Sequence, residues 1–415
     1  SLSLLAVVLN FIVFVGLFFL FHYFFPEFKK EEWWSLKNLI LPLVLVLSLS
    51  HVFNRYVSNY KRIVVPNIFE NIFPKLANLI AFCFFIFLGM TEATAFGFFF
   101  GMFVLSLIGY ASYANKLEKI QPDFSTGYVR EKNLWKSILN YSFFGFLGNI
   151  GNYIAIKIDN VMIGVSLGME ELGVYATLYA IISLISIPQL GLFNISAPII
   201  NKAIAEKNME ELDRFHKKTS LSLFFLGAVL FSCILAGFPF LASFIKNGTM
   251  LRESEPVVWI LGSAILIDLA TGFNGNIISM SKYYRFNIVI MLFLAALTVT
   301  LNFYFLEKTN FGIVGVAMAT AISLTIYNII KVLFNYIKFK VHPLTIEMIF
   351  VSIISTLAIT VAIVLPNFES NLLNLVYKPA VVLVMIGIGN YFLKLFPVEE
   401  YINKKFIRSI FKLGG

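Results

Sequence analysis

Between positions 149 and 160, an otherwise apolar stretch carries Asn149, Asn152, Lys157, Asp159 and Asn160. Amides exchange hydrogen bonds with hydroxyls, an ammonium meets anions, and a carboxylate holds a proton or a cation. Steps of three, four and seven stay on one side of a helix, so Asn149, Asn152, Asp159 and Asn160 fall near one face. Hydrocarbon offers such a stripe no partner, so it must face protein or a watery cavity. Asp268 lies near the middle of the apolar run LGSAILIDLATGFNGN. An unpaired acid at that depth is costly, which leaves it protonated, paired or binding an ion. Lys75 follows Pro74, a candidate kink, and Glu70 one turn earlier is a candidate partner for it. Cys83 and Cys233 read as small core residues, and four scattered histidines give no metal-ligand spacing.

These residues need a membrane around them. The 415 residues are 59% hydrophobic and 13% charged, against about 45–50% and 25% in a soluble domain. The apolar runs are long and continuous, which predicts spanning helices rather than a barrel. About twelve spans are expected, near 3–25, 36–55, 66–90, 95–114, 137–162, 173–198, 219–245, 256–279, 286–306, 311–336, 345–365 and 376–397. Twenty-one lysines and arginines fall on one side of this arrangement and seven on the other. The richer side is expected to be cytoplasmic, with both termini on it. Lys75, Lys157, Lys331 and Lys394 fall inside spans. The net charge of +9 is explained by this bias; no aromatic-and-basic nucleic-acid face is visible. The stretch NKAIAEKNMEELDRFHKKT, 201–219, is spaced like an amphipathic helix on the membrane surface, as is the basic tail.

The chain repeats at an offset of about 220. SLSL occurs at Ser1 and Ser220, Phe53-Asn54 aligns with Phe273-Asn274, and Asn67 with Asn287. Two parallel repeats predict two pseudo-symmetric helix bundles around a central cavity. The expected division is an N-terminal bundle at 1–115, a cytoplasmic linker at 116–136, a C-terminal bundle at 137–340, and two more helices with a basic tail at 341–415. The second repeat is preceded by two spans and the first by none. A complete arrangement of about fourteen spans, with the first two missing, is therefore expected; a natively asymmetric chain is the alternative.

The segments DNVMIGVSLGMEELGVYATLYAI and LFNISAPIINKAIAEKNMEELDRFHKKT resemble the polysaccharide-biosynthesis flippases of the O-antigen and capsule type, in the multidrug/oligosaccharidyl-lipid/polysaccharide (MOP) exporter superfamily. The residues carrying this are Asp159, Gly164, Gly168, Gly173, Tyr175 and Pro198, with Gly312, Gly315 and Ala317 in a second, Gly-x-x-Gly-x-Ala match. The resemblance implies no enzyme and no cofactor. It implies a transporter in the bacterial inner membrane that moves an undecaprenyl-pyrophosphate-linked sugar repeat unit to the outer leaflet by alternating access. A polysaccharide polymerase and a chain-length regulator are its implied partners beside the lipid-linked oligosaccharide and the bilayer. Moving two negative charges outward gains up to about 4.6 kcal/mol per 100 mV.

On that reading, Lys157 is the first candidate phosphate contact; snorkelling or a pair with Asp159 are its alternatives. Asp159 carries the family match or a structural salt bridge. Arg55 and Arg62 meet the pyrophosphate at the cytoplasmic mouth or merely set orientation. Lys75 takes part in transport or pairs with Glu70. Asn149 and Asn152 suit sugar hydroxyls or helix packing, and Asn274 completes the substrate-binding set. Asp268 is the ion-coupling candidate. The chamber is expected to be net cationic. The competing readings are a peptidoglycan-lipid flippase or a drug/cation antiporter on the same fold. A membrane glycosyltransferase or polymerase would show a large outer loop or an acidic catalytic motif.

Overall fold

The computed structural model describes residues 2–26, 34, 36–60, 68–69, 73–87, 89, 91–119, 135–245 and 248–396. The described residues form fifteen α-helices in two compact units, Ser1–Trp135 and Lys136–Gly415. Helix fills most of the described part of each of the twelve expected spans, the one at 256–279 being broken at Gly272. Nine helices among the described residues are long and apolar enough to cross a membrane.

The first unit holds α1 (Leu2–Phe24), α2 (Lys37–Asn59), α3 (Phe73–Phe87) and α4 (Glu92–Leu117). α4 packs against both α2 and α3, and α1 packs on α2. Gly109 lets the Phe69 ring seat on α4, since a Cβ there would lie 2.6 Å from that ring. Tyr56 donates a 3.1 Å hydrogen bond to Glu118, which also accepts from Tyr60, tying the ends of α2 and α4 together. Pro74 is the second residue of α3, in the first turn, where proline removes no hydrogen bond that a helix would make.

The second unit runs α5 (Trp135–Ser166), α6 (Met169–Ser183), α7 (Ile187–Ala205), α8 (Met209–Leu241), the short α9 (Gly248–Glu253), α10 (Glu255–Thr271), the short α11 (Asn274–Ser279), α12 (Tyr284–Lys308), α13 (Gly312–Phe339), α14 (Ile346–Val364) and α15 (Asn371–Leu393). α8 is its axis and packs on α7, α10, α14 and α15. It approaches α10 closely because both present glycine at the contact. A Cβ on Gly262 would stand 2.2 Å from the Phe231 ring, and one on Gly227 2.4 Å from Leu269. Gly315 packs closely too, with the Phe305 Cβ 3.0 Å from where its own Cβ would be. Gly148 and Gly151 seat α5 against Ile288 and Leu292 of α12.

The expected surface helix at 201–219 is not a separate element. α7 runs to Ala205, the chain turns through Lys207 at φ 57°, and α8 begins at Met209. Asn208 causes the restart: its side chain accepts from the Glu211 backbone N–H at 3.1 Å, and its own amide donates to the Glu211 carboxylate. Asp213 then bonds Lys217 at 2.6 Å and the His342 N–H at 3.0 Å, anchoring the chain that leaves α13.

Lys378 is buried in α15 and caps α14. Its ammonium donates to the carbonyls of Ala362 (2.7 Å) and Leu365 (2.5 Å). Helix C-termini leave such carbonyls unsatisfied. Lys378→Met keeps the stem and removes both donors. It is expected to lower stability by about 1–3 kcal/mol, read as a lower unfolding temperature of the detergent-purified protein.

Candidate functional site: a polar cavity in the second unit

A cavity of about 490 Å³ lies within the second unit, walled by α5, α6, α7, α10, α11, α12 and α13. Its wall carries two carboxylates, Asp159 and Asp268, and one ammonium, Lys331. Tyr179, Tyr327, Thr298, Thr320, Asn276, Asn287 and Gln189 supply further polar edges.

Asp159 is 3% exposed. Its Oδ2 accepts from Tyr175 Oη (2.8 Å) and Thr320 Oγ1 (2.6 Å), and its Oδ1 from Asn302 Nδ2 (2.7 Å). Four helices, α5, α6, α12 and α13, meet on this one side chain. The motif glycines make the bond to Tyr175 possible: Gly168, at φ 102°, turns α5 into α6 and brings Tyr175 back beside Asp159.

Asp268 is half-buried on α10. Its Oδ1 accepts from Asn328 Nδ2 of α13 at 2.8 Å, and Asn328 Oδ1 accepts in turn from Thr271 Oγ1 at 3.4 Å. One turn along α13 stands Lys331, buried, its ammonium 3.9 Å from the centroid of the Tyr327 ring. Sequence reading places Lys331 inside a span and assigns it nothing. The signal was the Tyr-x-x-x-Lys spacing, which stacks ring and ammonium on one helix face.

α10 ends at the cavity. Gly272, at φ 59°, breaks the helix, and α11 starts at Asn274. Asn274 is fully buried beyond the wall. Its Oδ1 accepts from Asn335 Nδ2 (2.6 Å) and contacts His216 Nε2 (3.2 Å), and its Nδ2 donates to the Thr271 carbonyl (2.6 Å). An amide oxygen only accepts, so His216 Nε2 carries the proton. Asn274 is thereby spent on holding the helix break and does not reach the cavity. Its repeat mate Asn54 is buried likewise.

Of the residues singled out by sequence, the structure brings Asp159 and Asp268 to one wall. Lys157 is not there: two residues from Asp159 on a helix is about 200° of rotation, and its side chain is exposed. Lys157 and Asp159 form no pair, because three neutral donors occupy the carboxylate. Asn149 is exposed on α5, and Asn152 lies on the same helix. Arg55 is exposed on α2 and Lys75 on α3, in the first unit. Arg62 and Glu70 lie outside the described residues. This cavity is not net cationic: two acids face one lysine. No metal-binding cluster of His, Cys, Asp and Glu occurs among the described residues.

Fold and cavity together define a multi-pass α-helical membrane protein with a polar chamber inside one of its helical units. Residues 1–203, just under half of the chain, match the family model described as polysaccharide biosynthesis protein. Its fold is that of solved MOP-superfamily transporters. A structure of the lipid II flippase MurJ in an inward closed conformation is similar at TM-score 0.70 and 14% identity, over 94% of this chain and 84% of that one. An inward-facing multidrug resistance MATE family transporter matches at 0.64 and 15%, over 82% and 79%. A MOP superfamily transporter from Pyrococcus furiosus matches at 0.61 and 16%, over 82% and 77%. A comparison with curated protein sequences returned no match.

Proposed function

We propose that the chain is a flippase for lipid-linked oligosaccharides. It would carry undecaprenyl-pyrophosphate-linked repeat units from the cytoplasmic to the outer leaflet of the bacterial inner membrane for O-antigen or capsule synthesis. The observation that carries this reading is a cavity whose wall carries hydroxyls, amides and charge, inside a helical unit of a chain whose residues 1–203 match the polysaccharide biosynthesis family model. Such a wall replaces the hydration that a sugar and phosphate head loses on entering hydrocarbon. The likeness in fold to a lipid II flippase supports a glycolipid cargo. Alternating access between two units supplies the motion, and both termini are cytoplasmic by the distribution of lysine and arginine. A polymerase and a chain-length regulator would receive the product.

The test is reconstitution in vesicles with a fluorescently tagged, polyprenyl-pyrophosphate-linked oligosaccharide and a membrane-impermeant quencher. Wild-type protein is expected to expose the inner-leaflet half of the tag over time. Protection equal to that in empty vesicles would rule out flipping. One observation favours a second reading, export of a cationic drug: the wall holds two carboxylates and the rings of Tyr179 and Tyr327. Under the flippase reading the same vesicles accumulate no ethidium; ethidium transport without glycolipid movement selects the second.

A further inference from the structure

We propose that Lys331 is the anion contact of this cavity, the group that meets the pyrophosphate of the cargo, with Asn276 as an additional donor. This rests on the flippase reading. The side chain is only 6% exposed, yet it lines the chamber. No carboxylate stands within 4.0 Å of its ammonium among the described residues, where the ion pairs are Lys202–Glu206 and Lys217–Asp213. Its close contact is the face of Tyr327, which attracts a cation but accepts no full charge. The charge of Asp268 reaches Lys331 across the wall, and that carboxylate is engaged by Asn328. A desolvated ammonium without an ion partner is costly inside a membrane protein and marks a place for an anion.

A second feature points the same way. Asn276, also on the wall, has a buried Nδ2 with no acceptor. An orphaned donor and an unpaired ammonium on one chamber both lack an acceptor oxygen. A diphosphate supplies several, and lysine binds phosphate as a compact charge with three donors. Neutral sugars would need no cation. The two acids on the wall fit transport, since a carrier must bind well enough to load and weakly enough to release. Three donors already blunt Asp159, which leaves Asp268 as the group that opposes a long stay.

The experiment measures binding of undecaprenyl pyrophosphate, and of neutral undecaprenol as the control, to the detergent-solubilised chain. Lys331→Met is expected to weaken pyrophosphate binding about 10- to 100-fold, the range for losing a hydrogen bond to a charged group. It should leave undecaprenol binding unchanged, and Lys331→Arg should restore most of the loss. If Lys331→Met fails to fold, Lys331→Gln carries the same expectation. If Lys331 serves only as counter-charge to Asp268, the double variant Lys331→Met/Asp268→Asn binds pyrophosphate as the wild type does, and that result overturns the assignment. Unchanged binding by the single variant overturns it as well while leaving the flippase reading intact. A wild-type chain that does not distinguish pyrophosphate from undecaprenol removes both.

Discussion

Asp159→Ala is expected to destabilise the second unit by about 3 kcal/mol, because it strands two buried donors and a partly buried third at once. Tyr175 Oη, Asn302 Nδ2 and Thr320 Oγ1 all donate to this carboxylate. Asn302 already has its Oδ1 buried without a donor, and the alanine variant would take away the bond of its Nδ2 as well. Asp159→Asn behaves differently. Its amide oxygen can still face Asn302, and its NH₂ can donate to the two hydroxyls, which accept as readily as they donate. The asparagine variant is therefore expected to keep most of its unfolding temperature and its membrane level while losing the negative charge on the wall. Alanine and asparagine falling together would mean that charge, and not hydrogen bonding, holds α5, α6, α12 and α13 at this point. An alanine variant as stable as wild type would show that the carboxylate joins nothing. The asparagine variant is also the one to take into the vesicle assay, since its transport defect can be read without a folding defect.

The depth to which this site was legible varies by residue. The helices followed from uninterrupted apolar runs, because in a bilayer length and polarity leave few other choices. The motif joining Asp159 to Tyr175 was visible as a spacing, and the structure turns that spacing into a hydrogen bond across the Gly168 turn. Asn302 and Thr320, which complete the cluster, lie 143 and 161 residues further along. Nothing local marks them, since a lone Asn or Thr in an apolar helix looks the same whether it packs or binds. Lys157 misled for a geometrical reason: proximity in sequence to Asp159 is opposition on the helix. Lys331 was passed over because its meaning depends on α10 lying against α13, a tertiary fact. The restart at Asn208 was hidden by a pattern that stays amphipathic across the break.

Gly272→Ala is expected to produce the other large effect, about 2–5 kcal/mol of destabilisation, from two separable causes. The backbone at φ 59°, ψ −136° lies in a region that side chains with a Cβ scarcely enter. The added methyl would also stand 2.1 Å from Ser220 Oγ on α8. Glycine is therefore required both to break α10 and to let the break rest on the axial helix. The freed backbone groups are not left bare: the Thr271 carbonyl accepts from Asn274 Nδ2, and the Asn274 carbonyl accepts from Asn335 Nδ2 at 3.2 Å. Neighbouring side chains that satisfy an interrupted helix are what make irregular backbone tolerable at membrane depth. Ser220→Ala separates the causes, since it removes the oxygen that the new methyl meets first. In that background Gly272→Ala is expected to recover part of its unfolding temperature and no more, the remainder being the cost of the backbone conformation. Full recovery would assign the whole effect to the clash. A Gly272→Ala protein as stable as wild type would mean that α10 runs on into α11 without a break, and the wall that Gly272 and Asn276 contribute to the cavity would then lose its physical basis.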